Sequence, residues 1–448
     1  MRREKTGKRG GFSASELKWI LYDVGNSAFV LLASTILPIY FGALTDAAGV
    51  GEAQSTAYWG YTASAVTIVT ALIAPVLGTV ADFKGKRALF LAFALFGIVC
   101  CCLMSVPMPW LAFLFVYGAA KVGLSSSLVF YDSMLPDITT EERLHKVSSH
   151  GYAWGYIGSC IPFLVCLAIV LLSDMSNFSL ILAFIITGVW WFAFTMPLAK
   201  SYRQVHFLPR PEKPFRSAFS RLGKLFGELK KNKKAFLFLI AFFFYIDGVY
   251  TIIDMATKFG ESLGFDTTAL LLALLVTQIV AFPSAIVFGR LAGKGSDAKL
   301  IAVCITAYTF VGFFAVFLYH EWQFWLLAVM VGLFQGGIQA LSRSYFAKLV
   351  PAEKSGEYFG VFDIFGKGAA FLGTLLVGAV TSLAVSLGAS DSLALHVGIL
   401  PVAILFVVGF FLFLYAAKQP DPVWESETAP DGGDGNGGAE PAEPAEND

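Results

Sequence analysis

AFLFLIAFFFYIDGVYTIIDMATK, residues 235–258, decides the class of fold. From Ala235 to Ile246 it carries no charge, no glycine and no proline. As a helix rising about 1.5 Å per residue, the whole stretch exceeds the roughly 30 Å of a bilayer's hydrocarbon. Polar residues then intrude: Asp247, Thr251, Asp254 and Lys258 recur at i, i+4, i+7 and i+11 as one stripe, with Tyr250 beside it. A charge at mid-bilayer costs on the order of 2.5 to 3.5 kcal/mol on insertion scales. Such a stripe turns inward, and the stretch reads as a membrane helix with a polar face toward protein or a watery cavity.

Further apolar runs of helix length lie on either side, at 17–42, 57–81, 88–106, 110–135, 151–172 and 178–198 before it and 268–291, 300–319, 323–347, 358–387 and 395–417 after it. The chain is 56% hydrophobic and 14% charged, where a soluble domain carries about 25% charge. The expectation is an all-α polytopic membrane protein with twelve transmembrane helices. Lys plus Arg balances Asp plus Glu at 32 each, so net charge points to no nucleic acid. The six cysteines all fall inside apolar runs and read as packing residues, and the five histidines are scattered, so zinc has no support. No Walker loop is present and no Ser, Cys or His nucleophile arrangement converges, which argues against ATP as driving force, against an enzyme and against a cofactor.

All of the 32 Lys and Arg residues except Lys121, Lys258 and Lys367 fall in segments on one side of the spans or at the termini. By the positive-inside rule that side is cytoplasmic, with both termini there and a bacterial inner membrane as the setting. The expected organisation is a basic N-terminus (1–16), retained rather than cleaved, a first six-helix bundle (17–198), a cytoplasmic linker (199–234), a second bundle (235–417) and a disordered acidic tail (418–448). In the linker Phe215, Phe219, Leu222, Phe226 and Leu229 recur at helical spacing among basic residues, the pattern of an interfacial helix. The halves repeat: Pro136, Gly151 and Gly158 return as Pro351, Gly366 and Gly373 at the same separations. The first spans echo one another more loosely, through Tyr22-Asp23 and Tyr245-Ile246-Asp247-Gly248.

The candidates for solute binding or coupling are the polar residues inside spans: Asp23 and Asn26 in the first, Lys121 in the fourth, Asp247, Tyr250 and Asp254 in the seventh, Gln335 and Gln339 in the tenth, Asp363 and Lys367 in the eleventh. Asp363 and Lys367 are i, i+4 neighbours in the favourable order, so mutual neutralisation is the plain alternative to a transport role. Lys121 is expected to pair across helices with Asp23, Asp247 or a solute carboxylate. A desolvated carboxylate at Asp23 or Asp247 can take up a proton near neutral pH, which suits proton coupling.

Gly78 to Arg87 reads Gly-Thr-Val-Ala-Asp-Phe-Lys-Gly-Lys-Arg between spans two and three. With Gly78, Asp82, Gly85, Lys86 and Arg87 in place it resembles the major facilitator signature, which implies a conformational latch. Its duplicate, Gly289 to Lys294, lacks the aspartate, which leaves a second latch open. Trp19 with Tyr22-Asp23 and Asn26-Ser27, Phe130-Tyr131-Asp132 with Leu135-Pro136, Gly155-Tyr156-Ile157-Gly158, Gln335 to Ser344 and Ile364-Phe365-Gly366-Lys367 together resemble the autophagy-related vacuolar amino-acid effluxers and their bacterial relatives. Asp132 and Asp363 depart from that pattern, where asparagine is expected. The resemblance implies the major facilitator fold and secondary transport, with an amino acid as the favoured solute. The expectation is thus a monomer in the lipid bilayer that moves a small-molecule solute by alternating access, with protons as the coupling ion. Its rivals are an uncoupled facilitator and a transport-inactive receptor or scaffold.

Overall fold

A computed structural model describes residues 11–50, 52–172, 177–209, 225, 227–293, 297–422 and 424. Its helices are α1 (Ala14–Ser34), α2 (Ile36–Ala47), α3 (Glu52–Ala81), α4 (Lys86–Leu103), α5 (Trp110–Ser133), α6 (Leu144–Leu172) and α7 (Asn177–Ser201) in the first half. The second half holds α8 (Lys233–Ser262), α9 (Thr267–Ala292), α10 (Asp297–Ala315), α11 (Glu321–Leu349), α12 (Ser355–Ser386) and α13 (Asp391–Ala417). Among the described residues there is no strand, only an isolated bridge between Phe83 and Leu208. Among the described residues, eleven helices are long and apolar enough to cross a membrane, or twelve when α1 and α2 count as one span bent by 40°. The bend has a local cause. Pro38 has no backbone N–H to continue the helix, and Thr35 turns its hydroxyl onto the Leu31 carbonyl at 2.6 Å.

Within the first half α1 packs on α6 and α7, and α5 on α3 and α4; within the second, α8 packs on α12 and α13, and α11 on α9 and α10. The halves meet along two seams, α3 against α12 and α6 against α9 and α11. On the first seam the backbones themselves touch. A methyl group at Gly356 would reach 2.7 Å from the Asp82 carboxylate, and one at Gly360 would reach 2.7 Å from the Ala74 carbonyl, so only glycines fit there. That close approach lets helices associate without bulky side chains between them.

The duplication read in the sequence is present in the packing, pair by pair. Tyr22 bonds Ser127 at 2.6 Å in the first half, and Tyr245 bonds Ser342 at 2.7 Å in the second. Gly151 lies against Trp19 as Gly366 lies against Phe242, and Gly25 lies against Trp191 as Gly248 lies against Phe406. Every pair keeps the same two offsets. The alignment sets Gly25 beside Gly248 and therefore Val24, not Asp23, beside Asp247. The loose echo between the two aspartates is thus out of step by one residue, or about 100° around a helix.

Helix ends differ from the expected spans by a few residues. α1 starts earlier, at Ala14, because Ser13 and Glu16 form a reciprocal capping box. Glu16 also receives Thr139 and both arms of Arg143 at 2.7 Å. Most of the expected interfacial helix in the linker, residues 210–224 and 226, lies outside the described residues. So does the tail except residues 418–422 and 424. The described start of the tail is docked rather than free: Lys234 pairs with Asp421 at 2.5 Å, and the Trp424 indole donates to the Leu349 carbonyl at 3.1 Å.

Candidate functional site

The helix ends on the side of the basic segments are clasped to one another by polar bonds. Asp82, the acidic residue of the signature turn, is buried, and its carboxylate accepts the backbone N–H groups of Gly356 at 2.6 Å and Glu357 at 2.8 Å. These are donors of the first turn of α12 with no partner inside the helix, so a carboxylate of the first half caps and neutralises a helix N-terminus of the second. Ser355 adds a bond to the Ser133 carbonyl at 2.9 Å. Gly85 holds φ at +120°, a conformation that glycine alone adopts without strain, and so turns the chain into α4. Lys86 runs inward to the Ser133 carbonyl at 3.0 Å and Asp137 at 3.9 Å, while Arg87 remains exposed. Residues 202–209 fold over this turn: Gln204 accepts the Gly85 and Lys86 N–H groups, and Tyr202 and His206 bind Asp137. Burial and the neighbouring Asp137 carboxylate raise the Tyr202 phenol well above its ordinary pKa.

The second seam carries a larger clasp, centred on Arg343 of α11. Its guanidinium crosses into the first half, where it binds Asp132 at 3.0 Å, Asp23 at 3.4 Å, and the hydroxyl and carbonyl of Ser148 at 2.9 and 3.0 Å. Aromatic faces enclose it, Tyr152 at 4.2 Å and Trp19 at 4.8 Å. Trp19 is stacked on Tyr131 and donates to its carbonyl, and the Tyr131 hydroxyl donates to Asp23 at 2.7 Å. The cage depends on Gly151, where a methyl group would intrude on Trp19 at 3.0 Å and Arg343 at 3.1 Å. Next to it the buried His145 joins Ser344 at 2.6 Å and Asp297 at 2.9 Å, and Lys348 reaches the same carboxylate at 3.2 Å. This second set of bonds joins the halves beside the Arg343 group, and its carboxylate comes from the start of α10.

Further from this end, Tyr156 of the first half donates to Gln339 of the second at 2.5 Å. Further along, Asp254 of α8 is exposed, although it sits far inside its helix. Asp254 lies within electrostatic reach of Lys121 of α5, on the opposite half, and of Tyr117 and Tyr250. Lys121 is therefore set against Asp254, rather than against Asp23 or Asp247 as the sequence suggested.

The other candidates separate. Asp23 belongs to the Arg343 clasp, and Asn26 is buried and bonds back to the Tyr22 carbonyl at 2.8 Å. The stripe on α8 is not one face in use. Asp247 and Thr251 are buried against α12, whereas Asp254 is exposed. Gln335 is buried beside an apolar cavity inside the second half that Phe259, Leu327 and Val331 also line, whereas Gln339 joins the halves. Asp363 is half-buried, within electrostatic reach of Asp132 and Tyr250. The side chains of Lys258 and Lys367 lie outside what is described. Arg343, Asp132, Trp19, Tyr152, His145 and Asp297 were not singled out as site residues. An arginine within an apolar span was the available signal, but in the charge census it stands among loop bases.

Comparison with known proteins supports this picture. The family model described as "Vacuole effluxer Atg22 like" matches residues 14–419. An uncharacterized MFS-type transporter, YxiO of Bacillus subtilis, is 38% identical over 418 residues, covering 91% of this chain and 96% of its own. Autophagy-related protein 22 of Coccidioides immitis is 27% identical over 272 residues, 54% of this chain and 45% of the fungal one. The chain thus spans less than half the length of that relative. Among solved structures, FucP in the outward conformation superimposes with a TM-score of 0.66 at 15% identity, covering 90% of this chain and 99% of its own. The proton:xylose symporter XylE superimposes at 0.65 and 12%, covering 90% and 94%. At such identities the likeness establishes the fold, that of the major facilitators.

Proposed function

Because this chain belongs to the family of Atg22-like vacuole effluxers, we propose that its solute is an amino acid, carried by alternating access and driven by a proton gradient. The general class is plain: a multi-pass membrane transporter of the major facilitator type, not an enzyme. One observation supports the solute class, the opposition of Lys121 and Asp254 across the cleft on different halves. An α-amino acid carries one charge of each sign a few ångströms apart. Its carboxylate fits the Lys121 ammonium and its ammonium fits the Asp254 carboxylate, so one solute satisfies both halves. A simple anion would match one of the two charges and a neutral sugar neither, and an unpaired charge in a desolvated site is strongly disfavoured.

With the basic side in the cytoplasm, the clasped state is open to the outside. Solute bound between Lys121 and Asp254 draws α5 and α8 together at the open end, and the halves rock about the occupied cleft. For the other end to open, Arg343 must leave its cage and Asp82 must release the start of α12.

The test is exchange of radiolabelled leucine, lysine and glutamate in proteoliposomes. Lys121→Met and Asp254→Asn are each expected to weaken apparent affinity by about 30-fold or more, the effect of removing one partner from a buried charged contact of about 2 kcal/mol and upward. Exchange that is confined to sugars, or equal in wild type and both variants, would refute the amino-acid reading. Leucine uptake that ignores an imposed pH gradient would favour an uncoupled facilitator.

A further inference from the structure

Asp247 is a candidate carboxylate that neither the cleft nor the clasp uses. It is fully buried in the middle of α8. Both donors that reach it converge on one oxygen: the Gly373 N–H at 2.9 Å and the Thr251 hydroxyl at 3.5 Å, the limit of a hydrogen bond, both meet Oδ1. Oδ2 has no partner. That division suits a carboxylic acid, with Oδ1 as the accepting carbonyl and Oδ2 as the hydroxyl, and not a carboxylate, whose two oxygens want equal solvation.

No ion pair reaches Asp247 among the described residues. Three charged or titratable residues on its own helix and the helices packed against it have described places elsewhere. Asp254 is exposed, Arg343 is caged in the first half, and His396 of α13 is held by the Ser392 and Leu318 carbonyls. On α12, Gly366 and Gly373 face α8, one heptad apart, whereas Lys367 stands about 100° around that helix from Gly366. Asp363 likewise lies off the Gly366–Gly373 stripe. An ionised Asp247 would therefore be a lone charge in a protein interior surrounded by lipid.

The molecule contains its own control. At the matching place in the first half Val24 packs on Gly158. A valine fills that seam, so packing alone does not require an acid in the other. We propose that Asp247 is the proton-carrying site of the transporter, neutral with its proton on Oδ2 in the clasped state and losing it when the α8–α12 seam admits water. This deepens the proton-coupled reading given above and rests on it. The consequence for motion follows from α12: the helix that packs on Asp247 at Gly373 is the one whose N-terminus Asp82 holds. Charging Asp247 drives it toward water and α12 away from α8, which loads the same helix that the clasp must release.

Infrared spectroscopy of the purified full-length protein tests this without any solute, so its failure is separate from failure of the amino-acid reading. The wild type should show the carbonyl band of a protonated carboxylic acid, shifted by isotopic labelling of aspartate, at a pH where exposed aspartates are ionised. Asp247→Val and Asp247→Asn should lose one such band, and Asp247→Val should melt at the wild-type temperature or above it. Wild type alone should lose the band reversibly as pH rises, which keeps the test available should a variant fail to fold. Spectra with no band assignable to Asp247 at any pH where the protein stays folded would overturn the proposal. So would stabilisation by sodium or potassium ions in wild type but not in Asp247→Asn, which would make the site one for a metal cation instead.

Discussion

The two ends of the molecule treat charge in opposite ways. At the basic end, Arg343 has two carboxylates, a hydroxyl, a carbonyl and three aromatic faces; Asp82 has two backbone donors; and Asp297 has His145 and Lys348. In the cleft, Lys121 and Asp254 have each other's field and open space. Saturated charges hold a conformation because breaking any one bond strands the rest. Charges left with spare capacity bind something. In the proposed function, this contrast divides residues that set which end is shut from residues that recognise what passes.

The largest effect is expected where saturation is greatest. Arg343→Gln leaves Asp23 and Asp132 facing each other, and loss of one partner from a buried charge network costs about 3 to 5 kcal/mol. The clasped conformation should lose its dominance, read as faster alkylation of a cysteine placed at Ser149, which is buried on the same seam against Gly289. Unchanged protection there would remove Arg343 from the gate. Gly151→Val should come next, at about 1 to 3 kcal/mol of overpacking, and should mimic Arg343→Gln because it fills the cage rather than removing its guest. A loss of folding stability with no change in cysteine protection would show Gly151 to be a packing residue only. Asp82→Asn keeps the shape but removes the charge at the start of α12, and should shift the balance by about 0.5 to 2 kcal/mol. The smallest effect belongs to the tail: Trp424→Ala should change transport by less than a factor of two, since its bond to Leu349 stays within the second half. A larger change would bring the tail into the gate.

Much of this was legible from residues alone, for one reason. Lipid makes charge conspicuous, so Lys121 and Asp254 stand out inside apolar runs before any contact is known, and the runs themselves define the spans. The direction in which a side chain points was less legible. A shift of one residue turns a helix by about 100°, and that shift separates Asp23, which faces the gate, from Asp247, which faces α12. The Arg343 cage joins residues from α1, α5, α6 and α11, and no local spacing encodes such a meeting. The docked Trp424 lies in a stretch whose composition speaks for disorder, because one indole and one ion pair do not alter the average.

The link between cleft and clasp is the central claim, and a distance across the shut end tests it most directly. Spin labels at exposed Lys84 and Glu353 flank the Asp82 cap from opposite halves. Pulsed dipolar measurements should give a short distance in the empty protein, a second and longer one when leucine is added, and the longer one without leucine in Arg343→Gln. In Asp254→Asn the short distance should persist with leucine present. One unchanged distance in all four samples would contradict the account.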